Sequence, residues 1–215
     1  MKVKHFFAGA VLIALLMVGV TYMTSSEAPD PAEAPAERYV ATLLSFREKK
    51  DQHFRGEESP IENPREFGGL RYFEPDTAFR VDAEWRPADD AEPVLIHMTD
   101  GKEEAFVRAG TAAFTLNEIP LMLTLFRRTD ARADEALFLP FTDATNGTDT
   151  YGGGRYLDVP APKGSVLVLD FNFAYNPYCA YNYNYSCPVP PRANHIDIPI
   201  PVGERSYPET KLSVQ

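Results

Sequence analysis

Two polar stretches in the C-terminal half of the chain hold most of the residues that could do chemistry. Residues 139–157 read LPFTDATNGTDTYGGGRYL, and residues 170–194 read DFNFAYNPYCAYNYNYSCPVPPRAN. Stretches of this length in a compact β domain are usually functional or held by specific bonds. Tyrosine supplies flat contact area and asparagine supplies hydrogen bonds, so we expect the two stretches to bind a small polar ligand. The candidate ligand-binding residues are Asp143, Thr145, Asn146, Tyr151, Arg155, Asp170, Asn172, Tyr175, Asn176 and Asn194.

The charged residues of these stretches leave other interpretations open. A hydrolase would use a carboxylate among Asp143, Asp149 and Asp170, with Arg155 as an electrostatic clamp. A β-barrel that holds a cofactor such as flavin is a second form of the enzyme hypothesis, although no cofactor fingerprint is found and the cofactor stays unknown. The third interpretation is structural: the two stretches pack on each other and close one end of the barrel. Arg155 would then pair with Asp170, and aspartate and asparagine would bond to their own backbone.

The only cysteines of the chain, Cys179 and Cys187, lie eight positions apart in the second stretch. In an oxidising compartment a disulfide between them would close this short loop and contribute roughly 2–3 kcal/mol. A metal site needs two further ligands, with His195, Asp170 and Asp197 the nearest candidates, and the spacing matches no standard zinc pattern. A catalytic thiol would need a histidine partner. We therefore predict a disulfide or structural thiols first, and no metal.

Short strands are expected to position these stretches. Residues 79–85 alternate between apolar and charged side chains, as in a strand with one face in the core, and Asp100–Gly101 is a strong hairpin signal. The apolar run Val166–Leu169 predicts a central strand buried on both faces. The sequence thus predicts a mainly β fold, a single antiparallel β-barrel or sandwich domain with one N-terminal amphipathic helix over residues 37–54. Further strands are predicted over residues 67–73, 94–98, 104–108, 112–116, 121–127, 136–141, 151–157, 165–171 and 195–202.

A transmembrane or signal helix is expected before this domain. Residues 6–23 are uncharged and would form ~27 Å of helix, close to the ~30 Å of a hydrocarbon core. Pro29 disrupts the best cleavage site, which favours a signal anchor over residues 1–28 and not a cleaved signal peptide. Because Lys2 and Lys4 precede the apolar run, the domain is expected on the extracytoplasmic side, periplasmic or at the cell surface. Secretion after cleavage is the alternative.

The rest of the chain divides into an acidic Pro/Ala linker, residues 29–37, and one β-rich domain, residues 38–215. The chain has 21 Lys and Arg against 31 Asp and Glu, a formal net charge of −10. A nucleic-acid binder needs a basic face, so this charge argues against nucleic acid as a partner. The expected partners are the membrane, through the N-terminal helix, and a small-molecule ligand. Protein partners stay unknown.

Several segments of the chain together resemble one known family. They are the two polar stretches, FGGLRYF at residues 67–73, Gly-Glu-Arg at residues 203–205, and Arg47, Lys50, Asp51 and Phe54 with Ser59-Pro60 and Asn194. The chain resembles, over residues 37–207, a bacterial and archaeal family catalogued as domain-of-unknown-function family 1684. The resemblance implies one single domain and marks the two polar stretches as the family signature. It implies no activity.

Overall fold

The structure is a computed structural model, which describes residues 35–89 and 93–207. The chain falls into two compact units, one ending at Leu70 and the other beginning at Arg71. Each unit is considered separately below.

The first unit is built on one helix, α1, which spans Pro35–Phe54. This confirms the predicted amphipathic helix. Its first residue, Pro35, is also the first residue that the structure describes. The end of the predicted linker, residues 29–37, is therefore helical. Leu43 and Phe54 are fully buried, and the ring of Phe67 packs on that of Phe54 with centroids 5.7 Å apart.

The second unit contains eight strands among its described residues. The hairpin predicted at Asp100–Gly101 is confirmed: it joins β2 to β3, and Gly101 adopts φ +81°, which suits glycine. The strands are β1 (Arg80–Pro87), β2 (Pro93–His97), β3 (Glu103–Leu116), β4 (Ile119–Arg128), β5 (Leu137–Asp143), β6 (Arg155–Val159), β7 (Val166–Asp170) and β8 (His195–Ile196).

The strands form one sheet whose main order is β6-β5-β4-β3-β1-β7. All pairings along this order are antiparallel, β2 adds to β3, and the short β8 pairs in parallel with β5. The two end strands, β6 and β7, contact each other, so the sheet curls. The prediction of a mainly β, antiparallel fold with one N-terminal helix is confirmed, in the form of a single curled sheet and not a sandwich of two sheets.

Several predicted strands differ from the observed ones. Residues 104–108 and 112–116 belong to a single strand, β3, whose pairing with β4 is irregular between Arg108 and Gly110. Residues 67–73 form no strand and make one isolated bridge, through Tyr72. The prediction that Val166–Leu169 is a doubly buried central strand is wrong. This strand, β7, ends the main order and pairs only with β1 among the described residues, and its Val166 is 56% exposed.

The sheet separates two apolar clusters. Neighbouring residues of a strand point to opposite faces, and along β5 Leu137 and Leu139 join one cluster whereas Phe138 joins the other. The first, larger cluster includes Leu125, Leu169 and Ile200 among its fully buried members. The second cluster contains Ile96, Phe106, Phe126, Phe138 and Tyr156 together with both cysteines, Cys179 and Cys187. The second polar stretch therefore contributes to the apolar packing of one face of the sheet.

None of the helices in residues 35–89 and 93–207 is both long and apolar enough to span a membrane. The predicted anchor, residues 1–28, lies outside the described residues and stays a prediction.

Candidate functional site

A buried ion pair connects the two ends of the first polar stretch. Asp143 ends β5 and Arg155 begins β6, and the Arg155 Nη2 lies 2.8 Å from the Asp143 Oδ2 with neither side chain exposed. The guanidinium also donates to the carbonyl oxygens of Ile200, at 2.7 Å, and Val202. Burial lowers the pKa of Arg155, and the charge of Asp143 acts in the opposite direction. The internal partner of Arg155 is thus Asp143 and not Asp170.

The turn that follows Asp143 is held by its own side chains. Asp143 Oδ1 accepts hydrogen bonds from the backbone N–H of Thr145, at 2.9 Å, and from its Oγ1, at 2.6 Å. Asn146 Oδ1 accepts from the N–H of Asp143, at 2.6 Å. Asn146 Nδ2 donates to Thr150 Oγ1 at 2.8 Å and to the Tyr151 carbonyl at 3.0 Å. Thr145 and Asn146 therefore fix the turn that carries Tyr151.

A second buried carboxylate, Glu204, holds the beginning of the second stretch. It accepts hydrogen bonds from the backbone N–H of Asn176, at 3.2 Å, from Asn176 Nδ2, at 3.1 Å, and from Tyr181 Oη. Asn176 Nδ2 also donates to the Arg205 carbonyl at 2.8 Å. Burial, followed by the negative charge of Glu204, raises the pKa of Tyr181 well above its usual value. Tyr181 therefore stays protonated and remains a donor to the carboxylate.

Asn172 uses its side-chain amide to bind a distant backbone segment. Its Oδ1 accepts from the N–H of Asp76 at 2.9 Å, and its Nδ2 donates to the Asp76 carbonyl at 2.8 Å. Nδ2 also lies 3.0 Å from Asp170 Oδ1. The other oxygen of Asp170, Oδ2, lies 3.6 Å from Arg80 Nε. Asp170 and Asn172 thus join the end of β7 to the segment before β1.

Asn194 makes the same kind of contact between two strands. Its Oδ1 accepts from the N–H of Thr124, and its Nδ2 donates to the carbonyls of Thr124 and Pro140, all at 2.8 Å. Strands β4 and β5 share a single register pair, Phe126 with Phe138. The fully buried amide of Asn194 therefore supplies hydrogen bonds where the two backbones no longer pair.

Tyr175 lies beside the sheet and extends it. The backbones of Tyr175 and Tyr156 exchange two hydrogen bonds, at 2.8 and 2.9 Å, and their rings pack edge to face with centroids 5.9 Å apart. Tyr175 Oη donates to Asp158 Oδ2 at 3.0 Å, and Tyr156 Oη donates to the Pro188 carbonyl at 2.5 Å. The second stretch is thus bound to β6 at both its beginning and its end.

The two cysteines lie together where the two polar stretches meet. In the structure they are buried free thiols, and the disulfide between them stays a prediction. The backbone N–H of Cys179 donates to the Sγ of Cys187 at 3.1 Å. Tyr151 Oη donates to the Sγ of Cys179 across 3.8 Å. This contact joins residues 139–157 to residues 170–194.

The surroundings of the two sulfur atoms differ. Hydrogen bonds, the largest of them from Cys187 and others from Tyr151 and Thr99, lower the pKa of Cys179. The pKa of Cys187 is raised, because it is hydrogen-bonded to Cys179 and is buried. Burial, with a smaller contribution from the charge of Cys179, raises the pKa of Tyr151. Cys179 is therefore the group of the three that ionises first.

Several tyrosines around this thiol pair remain partly open to solvent. The rings of Tyr178 and Tyr185 pack edge to face with centroids 5.2 Å apart, and Tyr183 is 65% exposed. Tyr183 lies near enough to Tyr151 to affect its ionisation. We call Tyr151, Tyr178, Tyr183 and Tyr185 the tyrosine surface. Tyr151 lies against Gly153, where a Cβ would come within 2.4 Å of its ring.

The predicted ligand-binding residues therefore occupy several places and not one. Most of them are bonded inside the protein: Asp143 to Arg155, Asp170 to Asn172, and Asn176 and Asn194 to other partners. Tyr151, in contrast, borders solvent. Their role in ligand binding stays a prediction. Within the described part of the chain, no group of three or more His, Cys, Asp or Glu side chains is placed to hold a metal ion.

The sequence did not assign roles to Thr99, Tyr156 or Tyr181, although each contacts the signature stretches. Tyr156 and Tyr181 lie in or next to those stretches, but nothing in their local pattern separates them from the exposed tyrosines. Thr99 is 88 positions from Cys187, whose N–H donates to its Oγ1 at 3.0 Å. Such a contact has no local signal. The sequence indicates Glu204 only through the segment Gly-Glu-Arg at residues 203–205.

Comparison with known proteins agrees with the resemblance. The model of the family described as "Protein of unknown function (DUF1684)" matches residues 65–205. No curated protein matches the chain. The chain is similar to an uncharacterized protein of Haloarcula marismortui, solved by solution NMR. The two are 35% identical, the match covers 79% of this chain and 95% of that one, and the TM-score is 0.64. The chain belongs to the DUF1684 family of proteins of unknown function.

Proposed function

We propose that the protein is a membrane-tethered, extracytoplasmic binding module that takes a small, neutral polar ligand on its tyrosine surface. One observation carries the proposal. Most of the polar residues predicted to bind a ligand are bonded inside the protein, whereas Tyr151, Tyr178, Tyr183 and Tyr185 remain partly exposed. A framework fixed in this way holds aromatic side chains in place before a ligand arrives, which reduces the entropy lost on binding.

The bonds that fix this framework lie directly behind the tyrosines. Asn146 holds the carbonyl of Tyr151 at 3.0 Å, and Asn176 is bonded to Glu204 at the start of the segment that carries the other tyrosines. Ring packing between Tyr178 and Tyr185 limits the rotation of both. The surface therefore presents ordered rings with hydroxyl groups at their edges, which suits a ligand with an apolar face and several hydroxyls.

The negative net charge of the chain argues against an anionic ligand. The chain carries a formal net charge of −10, so a phosphorylated or carboxylated ligand would meet overall repulsion. Arg155 has no solvent exposure and pairs with Asp143, so it is not offered to an anion at the surface. A neutral sugar has an apolar ring face and many hydroxyls, and we take it as the ligand class that fits best.

The predicted hydrolase is less well supported than a binding module. Each carboxylate proposed for it is close to a cation: Asp143 to Arg155 at 2.8 Å, Asp149 to Arg205 at 3.0 Å and Asp170 to Arg80 at 3.6 Å. A carboxylate that is already paired inside the protein is less available to exchange a proton with a substrate.

Ligand binding can be tested by NMR on the full-length chain in detergent micelles, with the tyrosine rings labelled with carbon-13. Cellobiose, a neutral disaccharide, is the probe. We expect saturable shifts at the rings of Tyr151, Tyr183 and Tyr185, and none at the buried Tyr156. Tyr183→Ala should abolish them. Leu95→Ala is the matched control. Leu95 is 64% exposed, and it lies on the face of β2 opposite Val94 and Ile96, which pack in the second cluster.

If cellobiose shifts no tyrosine ring at millimolar concentration, or shifts all rings equally, the proposal of a sugar-binding surface is wrong. The tether has a separate test. N-terminal sequencing of the protein recovered from membranes should begin at the initiator methionine or the residue after it. A start near residue 29 would show that the helix is cleaved.

A further inference from the structure

The thiol pair at the junction of the two signature stretches has a geometry that a structural role does not require. Both cysteines are buried, and the backbone N–H of Cys179 donates to the Sγ of Cys187 at 3.1 Å. Cys179 lies in the 3-10 turn Tyr178–Ala180, whereas Cys187 is fixed to the turn after β2: its N–H donates to Thr99 Oγ1 at 3.0 Å, and its carbonyl accepts from the N–H of Thr99 at 2.9 Å. Both backbones are thus fixed, with the Cys187 sulfur beside the backbone of Cys179.

We propose that Cys179 and Cys187 form a dithiol site that exchanges with low-molecular-weight disulfides, with Cys179 as the attacking thiol and Cys187 as the resolving thiol. This assigns to the pair a chemistry and a division of roles beyond that of a permanent structural disulfide. It stands independently of ligand binding at the tyrosine surface.

The exchange consists of two balanced steps. The Cys179 thiolate attacks one sulfur of the small disulfide, whose S–S bond breaks and releases one thiolate, leaving a mixed disulfide on Cys179. Cys187 then loses its proton and attacks the Cys179 Sγ, which breaks the mixed disulfide and releases the second thiolate. The two protein thiols are oxidised to one disulfide, and the small disulfide is reduced to two thiols.

The hydrogen bonds around the sulfurs give the two cysteines different roles. Tyr151 Oη donates to the Cys179 Sγ across 3.8 Å, and this contact stabilises the thiolate of Cys179. Because the thiolate is the nucleophile, the lowered pKa of Cys179 favours it as the first to react. Cys187 keeps its proton until the first step has removed the charge from Cys179.

Tyr151 also determines how a small disulfide reaches the site. Its ring is partly exposed while its Oη contacts the Cys179 Sγ, so it lies between that sulfur and solvent. Both cysteines are 4% exposed, which admits a small reagent beside the ring more easily than a folded protein. Gly153, which has no side chain, allows the ring of Tyr151 to lie directly against the backbone.

The full-length chain, reduced and freed of reductant, provides the test. It is incubated with oxidised glutathione under native conditions, quenched with N-ethylmaleimide and weighed as an intact protein. We expect the wild-type chain to lose two hydrogens, to take up no maleimide and to keep no glutathione. Cys187→Ser should stop at the first step and retain one glutathione, whereas Cys179→Ser should stay unmodified.

A variant with both thiols intact keeps the test valid if a cysteine substitution impairs folding. Tyr151→Phe removes the Oη–H donor to Cys179 and should slow disulfide formation several-fold. Tyr175→Phe is the matched control, because its Oη donates to Asp158 and not to sulfur, and it should leave the rate unchanged. Two maleimide-reactive thiols in the oxidised wild-type chain, equal glutathione uptake by both serine variants, or equal slowing by both phenylalanine variants would overturn the proposal.

Discussion

Asp143 and Arg155 form an ion pair at 2.8 Å in which neither side chain reaches solvent. Asp143 also binds the N–H and Oγ1 of Thr145 and the N–H of Ile200. One carboxylate therefore joins two neighbouring strands, the turn after β5 and the segment near residue 200. The pair is structural in its contacts, and its energy depends on both charges being present.

Replacing Asp143 by Asn should leave the guanidinium of Arg155 buried without a counter-charge. We expect Asp143→Asn to lower the free energy of unfolding by about 3–5 kcal/mol, the cost of breaking a buried pair from one side. Urea unfolding followed by circular dichroism measures it. Asp134→Asn is the control: Asp134 pairs with Arg132 at 3.1 Å on the surface, and its loss should leave the urea midpoint unchanged. Equal effects of the two substitutions would contradict this account.

Asn194 replaces missing strand pairing with side-chain hydrogen bonds, so its removal should weaken the contact between β4 and β5. Asn194→Ala leaves the N–H and carbonyl of Thr124 and the carbonyl of Pro140 without this partner. We expect a loss of about 2–4 kcal/mol, since each buried polar group left unsatisfied costs about 1–3 kcal/mol. Amide hydrogen exchange should show faster exchange at Thr124.

The exposed Asn184 provides the comparison for Asn194. Asn184→Ala should change stability by less than about 0.5 kcal/mol, as is usual for a surface position. If Asn194→Ala behaves like Asn184→Ala, the amide does not substitute for the missing ladder.

Local patterns were enough for parts of this fold. Apolar periodicity predicted α1, and Asp100–Gly101 predicted the β2–β3 hairpin, because neighbouring residues alone determine both. The position of β7 was not predictable in this way. An apolar run of four residues fits a central strand as well as an end strand, and only the order of strands in the sheet distinguishes them.

The composition of the two polar stretches was enough to locate the candidate site, but the hydrogen bonds within it could not be predicted from the sequence. Asn194 binds Thr124, 70 positions away, and Asn172 binds Asp76, 96 positions away. No local pattern distinguishes an asparagine that clamps a distant backbone from one that contacts a ligand. The partner of Arg155 depended likewise on the pairing of β5 with β6, which brings Asp143 beside it.

Gly154 is required where the two polar stretches approach each other. Its φ is +92°, and a Cβ there would lie 2.7 Å from both the Phe141 carbonyl oxygen and Pro190 Cγ. Gly154→Ala combines a left-handed conformation, which costs about 1–2 kcal/mol, with a clash against backbone. We expect a total loss of at least about 2 kcal/mol, measured as a lower urea midpoint.

Gly164 is the matched glycine, because no atom lies within 4 Å of the position of its Cβ. Gly164→Ala should leave stability unchanged or raise it by up to about 1 kcal/mol, since alanine restricts the unfolded chain. A Gly154→Ala variant as stable as Gly164→Ala would show that Pro190 and Phe141 can move aside, and that the contact between the stretches is loose.

Three tyrosines whose pKa is raised in the folded protein should make the fold sensitive to alkali. Burial raises the pKa of Tyr156, Tyr175 and Tyr181 well above the usual value of 10.0, with nearby Asp158 and Glu204 adding to the effect for Tyr175 and Tyr181. In the unfolded chain these groups ionise near the usual value. Their contribution to stability is therefore complete below about pH 10 and declines as pH rises further, by about 1.4 kcal/mol per pH unit for each tyrosine.

Urea unfolding of the full-length chain at pH values from about 9 to about 11 measures this decline, and ultraviolet absorbance of tyrosinate follows the ionisation itself. We expect these three tyrosines to ionise in one cooperative step together with the loss of the circular dichroism signal. Tyr156→Phe should reduce the slope of stability against pH by the share of one tyrosine, because it removes one group that ionises only after unfolding. If the same three hydroxyls instead ionise gradually while the fold persists, they are open to water. In that case the second polar stretch packs against β6 more loosely than the hydrogen bonds of Tyr156 and Tyr175 indicate.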